Sequence, residues 1–252
     1  MSDAQQQDEA NSDTRFRQKV LSWVAALTLP VIALGNFSEA IMIVESATDR
    51  AISTFTNIPE YKDLGYLQSG ISLDYAREIF GTPQVSRNLE RELSAEYFFD
   101  EKYLLTLLVK SDEVAGFVVI SLQEGFAPSV FGEWGGDLGE FTFAELKGMP
   151  DEFVADWTKN SATYLESVNL GGGSLNQKAF AGWVNYGDGS REQGLAELYQ
   201  SVLLGGDSEA LRKVLRESTK PNVYGWGTVS LGDLKSSILS PADLGHYLSA
   251  YQ

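Results

Sequence analysis

Apolar positions along the chain fall into three regimes: one long uncharged run near the start, alternating runs in the middle and helical spacing toward the end. From Val20 to Ser38 no residue carries a charge. As a helix rising ~1.5 Å per residue, that run would reach roughly 28 Å, close to the hydrocarbon thickness of a bilayer. Arg15, Arg17 and Lys19 precede it, while Glu39, Glu45 and Asp49 follow, a polarity that places the N-terminus inside. The pattern predicts a polar cytoplasmic tail over residues 1–19, a transmembrane helix over 20–44 and a juxtamembrane stalk over 45–60. Asn57-Ile58-Pro59 is expected to stop the stalk, because proline disfavours helix at the residue before it. Two other readings fit the same residues. Ala33-Leu34-Gly35 would suit cleavage of a signal peptide, and the run could be a buried helix of a soluble globule.

Residues 61–130 are expected to form one unit, of which residues 70–123 are the best-patterned part of the chain. Ser72 is a good helix cap for Leu73 to Phe80, and Gly81 followed by Pro83 ends that helix. Ala95 to Phe99, Tyr103 to Val109 and Val114 to Leu122 are β-rich runs separated by polar turns, so the unit reads as a helix and a three-stranded antiparallel meander. Residues 131–252 read as an α-rich second part. Thr142 and Glu145 have capping-box spacing, Phe153 to Val168 could be helix, and Ala179 to Tyr186 is extended. Helices are expected over Arg191–Leu204 and Ser208–Thr219, with Val223 to Gly227 as a strand-like connector. Ser230 with Asp233, and Ser240 with Asp243, then open two further helices. The hydroxyl caps at Ser72, Thr142 and Ser230 echo one another; a duplicated unit or shared capping grammar would produce this, and the grammar is the favoured reading.

The run Gly-Ile-Ser-Leu, helix, Phe-Gly-Thr-Pro, Tyr-Phe-Phe, Leu-Leu-Thr-Leu-Leu and Val-Ala-Gly-Phe-Val-Val-Ile within residues 70–123 resembles the repeat of the SmpA/OmlA and β-lactamase-inhibitor-protein group. It also resembles bacterial membrane-anchored proteins carrying such a unit after an N-terminal span. The resemblance implies a small extracytoplasmic domain, with a helical element on a curved antiparallel sheet, and non-enzymatic protein binding. The chain lacks the group's lipid-bearing cysteine, and no functional residue carries over by motif.

Charge narrows the functions. From Tyr61 onward the chain has 15 basic and 27 acidic side chains, within a net charge of −16. Nucleic-acid binding rests on Lys and Arg neutralising phosphates, so this surface argues against it. There is no cysteine and one histidine, His246, which removes zinc sites of the usual Cys/His kind. No cofactor is expected. His246 near Asp243 lacks any nucleophile motif, and Gly171-Gly172-Gly173-Ser174 lacks the lysine ending of a phosphate loop. Aromatic residues are more suggestive. Trp134, Trp183, Tyr186, Tyr224 and Trp226, several flanked by glycine, are the expected partner or ligand contacts, although a core role fits them too.

The fold class expected is therefore α+β: a single N-terminal transmembrane helix, then an extracytoplasmic domain with a helix, an antiparallel meander and a mostly helical C-terminal part. The expected location is a bacterial inner membrane with the N-terminus inside and the main domain periplasmic. Membrane lipid would surround the N-terminal helix. The expected function is a non-enzymatic accessory subunit of a membrane assembly that binds a protein partner or oligomerises. The alternative is an envelope enzyme or glycan-binding module using aromatic and carboxylate groups.

Overall fold

The computed structural model describes residues 56–129, 136–148, 150–170, 177–187 and 192–250. The chain divides into two compact units, Met1–Lys62 and Asp63–Gln252. In the first, the described residues belong to the opening of helix α1 (Ile58–Leu64) and the two residues before it. Pro59 lies in the first turn of α1, where its missing N–H breaks no helical hydrogen bond. Asn57-Ile58-Pro59 thus opens a helix, and the stalk it was expected to end lies outside the described residues up to residue 55.

The second unit is organised by strands β1 (Val85–Asn88), β2 (Ser94–Phe99), β3 (Tyr103–Lys110), β4 (Glu113–Ser121), β5 (Glu152–Thr158), β6 (Ser161–Asn169), β7 (Lys178–Asn185) and β8 (Val223–Gly227). They form one antiparallel sheet in the order β1-β2-β3-β4-β8-β7-β6-β5. The helices are α2 (Leu73–Phe80), α3 (Gln193–Leu203), α4 (Glu209–Ser218), α5 (Leu231–Ser237) and α6 (Pro241–Ala250).

This corrects the expected fold class. The C-terminal part is not mostly helical, since it supplies half of the sheet. Phe153 to Val168 is the β5–β6 hairpin, favoured by its β-branched and aromatic residues and turned at Lys159-Asn160, where the Thr158 hydroxyl accepts from the Ser161 amide at 3.0 Å. The supposed connector Val223 to Gly227 is a central strand paired on both edges. Its glycines are required by close approach: a Cβ on Gly225 would lie 2.3 Å from the Phe117 carbonyl oxygen, and one on Gly227 would lie 2.5 Å from Gly116 Cα. The membrane readings are corrected as well. Among the described residues no helix is long and apolar enough to cross a membrane. The longest, α3, has 11 residues, about 16 Å, roughly half of what a span needs. The segment 20–44, on which the span, the lipid contact and the inner-membrane location were placed, lies outside the described residues, as does 45–55 of the stalk. No described element supports any of these expectations.

A straight ladder of paired residues crosses the sheet: Val85, Tyr97, Thr106, Val118, Gly225, Phe180, Ser167 and Glu152. Rotation about the midpoint of the Val118–Gly225 pair carries β1–β4 onto β5–β8 in order. The correspondence extends beyond strands. Gly81 and Pro83 stand before Val85 as Gly148 and Pro150 stand before Glu152, and both glycines have positive φ, 79° and 94°. Each is preceded by a capped turn, Ser72 opening α2 and Thr142 opening a short 3-10 helix, Phe143–Glu145. Two of the three sequence echoes thus hold equivalent places, which is more than capping grammar requires.

The two sheet faces are covered differently. On one face α2 covers the first half and the 3-10 turn with α3 and α4 covers the second; Phe80 meets Phe98, and Phe143 meets Tyr164 edge-on at 5.2 Å. On the other face α5 and α6 press Leu231, Leu234 and Leu244 against Leu104, Leu108, Val118, Ile120, Leu165 and Phe180. Helix α5 is held from both sheet edges: Arg87 of β1 donates to the Ser236 carbonyl, and Asp156 of β5 pairs with Lys235 at 2.6 Å. The Tyr97 hydroxyl donates to the Ser237 carbonyl at 2.8 Å beneath it.

Candidate functional site

Strand lengths create a concavity. β8 begins at Val223, which pairs with Ile120 of β4 and Gly182 of β7. Both neighbours run on past that level, β4 to Ser121 and β7 to Asn185, so the sheet has a notch where its middle strand is missing. Asn222 closes the floor. Its side chain accepts from the Val184 amide at 2.8 Å and donates to the Val184 carbonyl at 2.9 Å, while its own carbonyl accepts from the Ser121 amide at 2.8 Å. One side chain thereby satisfies the strand edge that β8 leaves bare.

The notch encloses about 970 Å³. Its walls are the β2–β3 turn with Asp100 and Glu101, the end of β7 with Trp183, Tyr186 and Gly187, and Leu244 of α6. Asp100 is held in its turn by accepting from the Lys102 amide at 2.8 Å, and Glu101 is exposed on the rim. Trp183 is half-buried and stands opposite Tyr164 in the β6–β7 pairing. The Tyr186 hydroxyl is buried without a hydrogen-bond partner. Burial, with a smaller push from Tyr97, raises its ionisation well above the ordinary tyrosine range, so it stays a neutral donor. Carboxylates and an indole can receive cationic and apolar groups of a ligand.

Of the aromatic residues singled out in sequence, the structure brings Trp183 and Tyr186 together at the notch. Tyr224 is buried and packs edge-on to Phe117 at 6.0 Å, as a core residue of β8. Trp226 is half-buried in the same strand and does not line the notch. Trp134 lies outside the described residues. Sequence reasoning missed Asn222, Ser121 and Leu122, and noted Asp100-Glu101 only as a turn pair. The one available signal was Asn222 directly before the glycine- and aromatic-rich strand.

A second cluster is structural. Glu166 of β6 is 3% exposed, accepts from the Tyr164 hydroxyl and faces Arg216 of α4 at 2.9 Å. Burial pushes its carboxyl above the usual glutamate range, against the downward pull of Tyr164, Arg216 and Arg212. Arg216 also donates to the Phe143 carbonyl at 2.8 Å, and Arg212 stacks over Phe153 at 4.9 Å. His246 is exposed, and Asp243 exchanges capping bonds with Ser240. Among the described residues no cluster of histidine, aspartate or glutamate is placed to hold a metal ion.

No family model matches the chain, and no curated protein matches it. Among solved structures it is similar to a cysteine-rich secretory protein from Staphylococcus aureus, at 11% identity over 63% of this chain and 44% of that one, with a TM-score of 0.32. The chain therefore spans under half of that protein. It is also similar to a Streptococcus mutans structure assigned as a beta-lactamase inhibitor protein, at 12% identity over 49% of this chain and 82% of that one, with a TM-score of 0.21. That second neighbour carries the inhibitor name of the group that residues 70–123 resemble. At these identities the likeness remains only a likeness.

Proposed function

We propose that this chain is a non-enzymatic protein-binding domain that engages its partner at the notch beside β8. The supporting observation is that Trp183, Tyr186, Asp100 and Glu101 all line one concavity of about 970 Å³. Indole and phenol groups in a half-desolvated pocket, rimmed by charge, have the character of interface anchors. Affinity purification from the native source with wild type and with Trp183→Ala tests it. The wild type is expected to retain a stoichiometric protein that the variant loses. Identical recoveries, or a lone monomer in both, would overturn the proposal.

A second reading, glycan binding, is favoured by the same indole standing beside carboxylates. Cell-wall fragments would then give a saturable change in tryptophan fluorescence that Trp183→Phe abolishes. No saturable change would remove it.

A further inference from the structure

The notch does not end at Asn222. A second concavity of about 440 Å³ lies on its other side, and the two share Ser121, Leu122 and Asn222 as a common floor. The two adjoin along these residues, and each has a buried apolar side, with Ile120 and Val184 in the first part and Phe126 and Leu138 in the second. The rim is acidic at both ends, Glu101 with the half-buried Asp100 on one side and Glu124 and Glu140 on the other, with Lys220 beside the latter. Tyr186 lines the first part, with its hydroxyl buried behind that surface.

Strand insertion is not what this cleft suits, because Asn222 already satisfies both backbone groups of Val184. A side-chain-recognising cleft remains. In an extended peptide successive side chains point to opposite sides and recur about every 7 Å on one side. Apolar side chains at alternate positions would enter the floor, and the long stems of Lys or Arg between them would reach the rim carboxylates. We infer that the cleft takes an extended partner segment in which basic and apolar residues alternate, lying across Asn222 with cations at both ends. This rests on the reading of the notch as the partner site.

The test uses the full chain and three fluorescein-labelled decapeptides in which valine alternates with lysine, serine or glutamate, followed by fluorescence anisotropy. The lysine peptide is expected to bind at least tenfold more tightly than the serine peptide, and the glutamate peptide not at all. Two double variants, Asp100→Asn with Glu101→Gln and Glu124→Gln with Glu140→Gln, should each weaken the lysine peptide about tenfold. A control pair on the β1–β2 loop, Glu90→Gln with Glu92→Gln, should leave it within about twofold. Unchanged thermal midpoints would show that the variants fold. Equal binding of lysine and serine peptides would overturn the charge inference. So would equal losses in all three double variants, which would mark diffuse attraction to a chain of net charge −16. Absence of lysine-peptide binding would overturn it too. None of these results touches retention of the native partner through Trp183, so the two proposals fail separately.

Discussion

The halves β1–β4 and β5–β8 share strand order, a left-handed glycine and a glutamate at the same place on the second strand, yet secure that glutamate in different ways. Glu96 and Glu166 each stand one residue before the ladder positions Tyr97 and Ser167, and both face the helix-covered side. Glu96 is paired by Arg77 of α2, the helix leading into its own half, and that arginine side chain remains 41% exposed. Glu166 has only the short Phe143–Glu145 turn before it, and is paired by Arg216, 12% exposed, from a helical hairpin inserted between β7 and β8. In the first half the corresponding β3–β4 link is a tight turn with Ser111 and Asp112 at positive φ. A repeated position can therefore keep its acid while the counter-charge comes from a different segment, provided that the carboxylate is not left bare in the core.

That contrast gives its largest effect on removing the buried cation. Arg216→Ala strands Glu166 beside Tyr164 and should cost about 3–5 kcal/mol in urea unfolding. Glu166→Gln tests the sign of its titration. Because burial raises the folded-state carboxyl, the wild type holds this contribution below the unfolded glutamate value and loses it as pH rises through the higher folded value. The downward slope of stability with pH across that window should vanish in the variant. A midpoint shift indistinguishable from wild type for Arg216→Ala would break the comparison at its root.

The next effect lies at the axis, where Val118 faces Gly225. Gly225→Ala pushes a Cβ toward backbone at 2.3 Å and should cost about 1–3 kcal/mol or more. An unchanged thermal midpoint would mean that β8 does not approach β4 so closely. Arg77→Ala should cost less than Arg216→Ala, about 1–3 kcal/mol, because water can reach the place vacated by its 41% exposed guanidinium although Glu96 itself is only 7% exposed. A loss matching Arg216→Ala would erase the difference between the halves. Smallest is Glu145→Gln at the cap of the second half. Thr142 amide and hydroxyl bonds hold the Glu145 carboxyl below its usual range, so its contribution is present above the unfolded value and fades as pH falls through the folded one. Thermal midpoints measured against pH should show this slope opposite in sign to that of Glu166.

The sequence made the meander legible because β2, β3 and β4 are long apolar runs divided by polar turns. β1 escaped notice because Val-Ser-Arg-Asn offers one apolar residue, and the strand is defined by pairing to β2. β5 and β6 were read as helix because Ala155, Ala162, Leu165 and Glu166 are ordinary helix formers. A glutamate on a sheet's packed face makes sense only once Arg216 is seen to reach it. At the candidate site, composition drew attention to Trp183 and Tyr186. Their meeting with Asp100 and Asn222 depends on sheet order and on where β8 begins, both set by pairing between segments far apart in the chain. No local pattern encodes that.

Native-state amide exchange of Val223 to Gly227 bears most directly on this architecture. As the middle strand, β8 is predicted to exchange with the slowest class, alongside its neighbours β4 and β7. Exchange at the rate of an exposed connector would contradict the joined halves, and with them the notch.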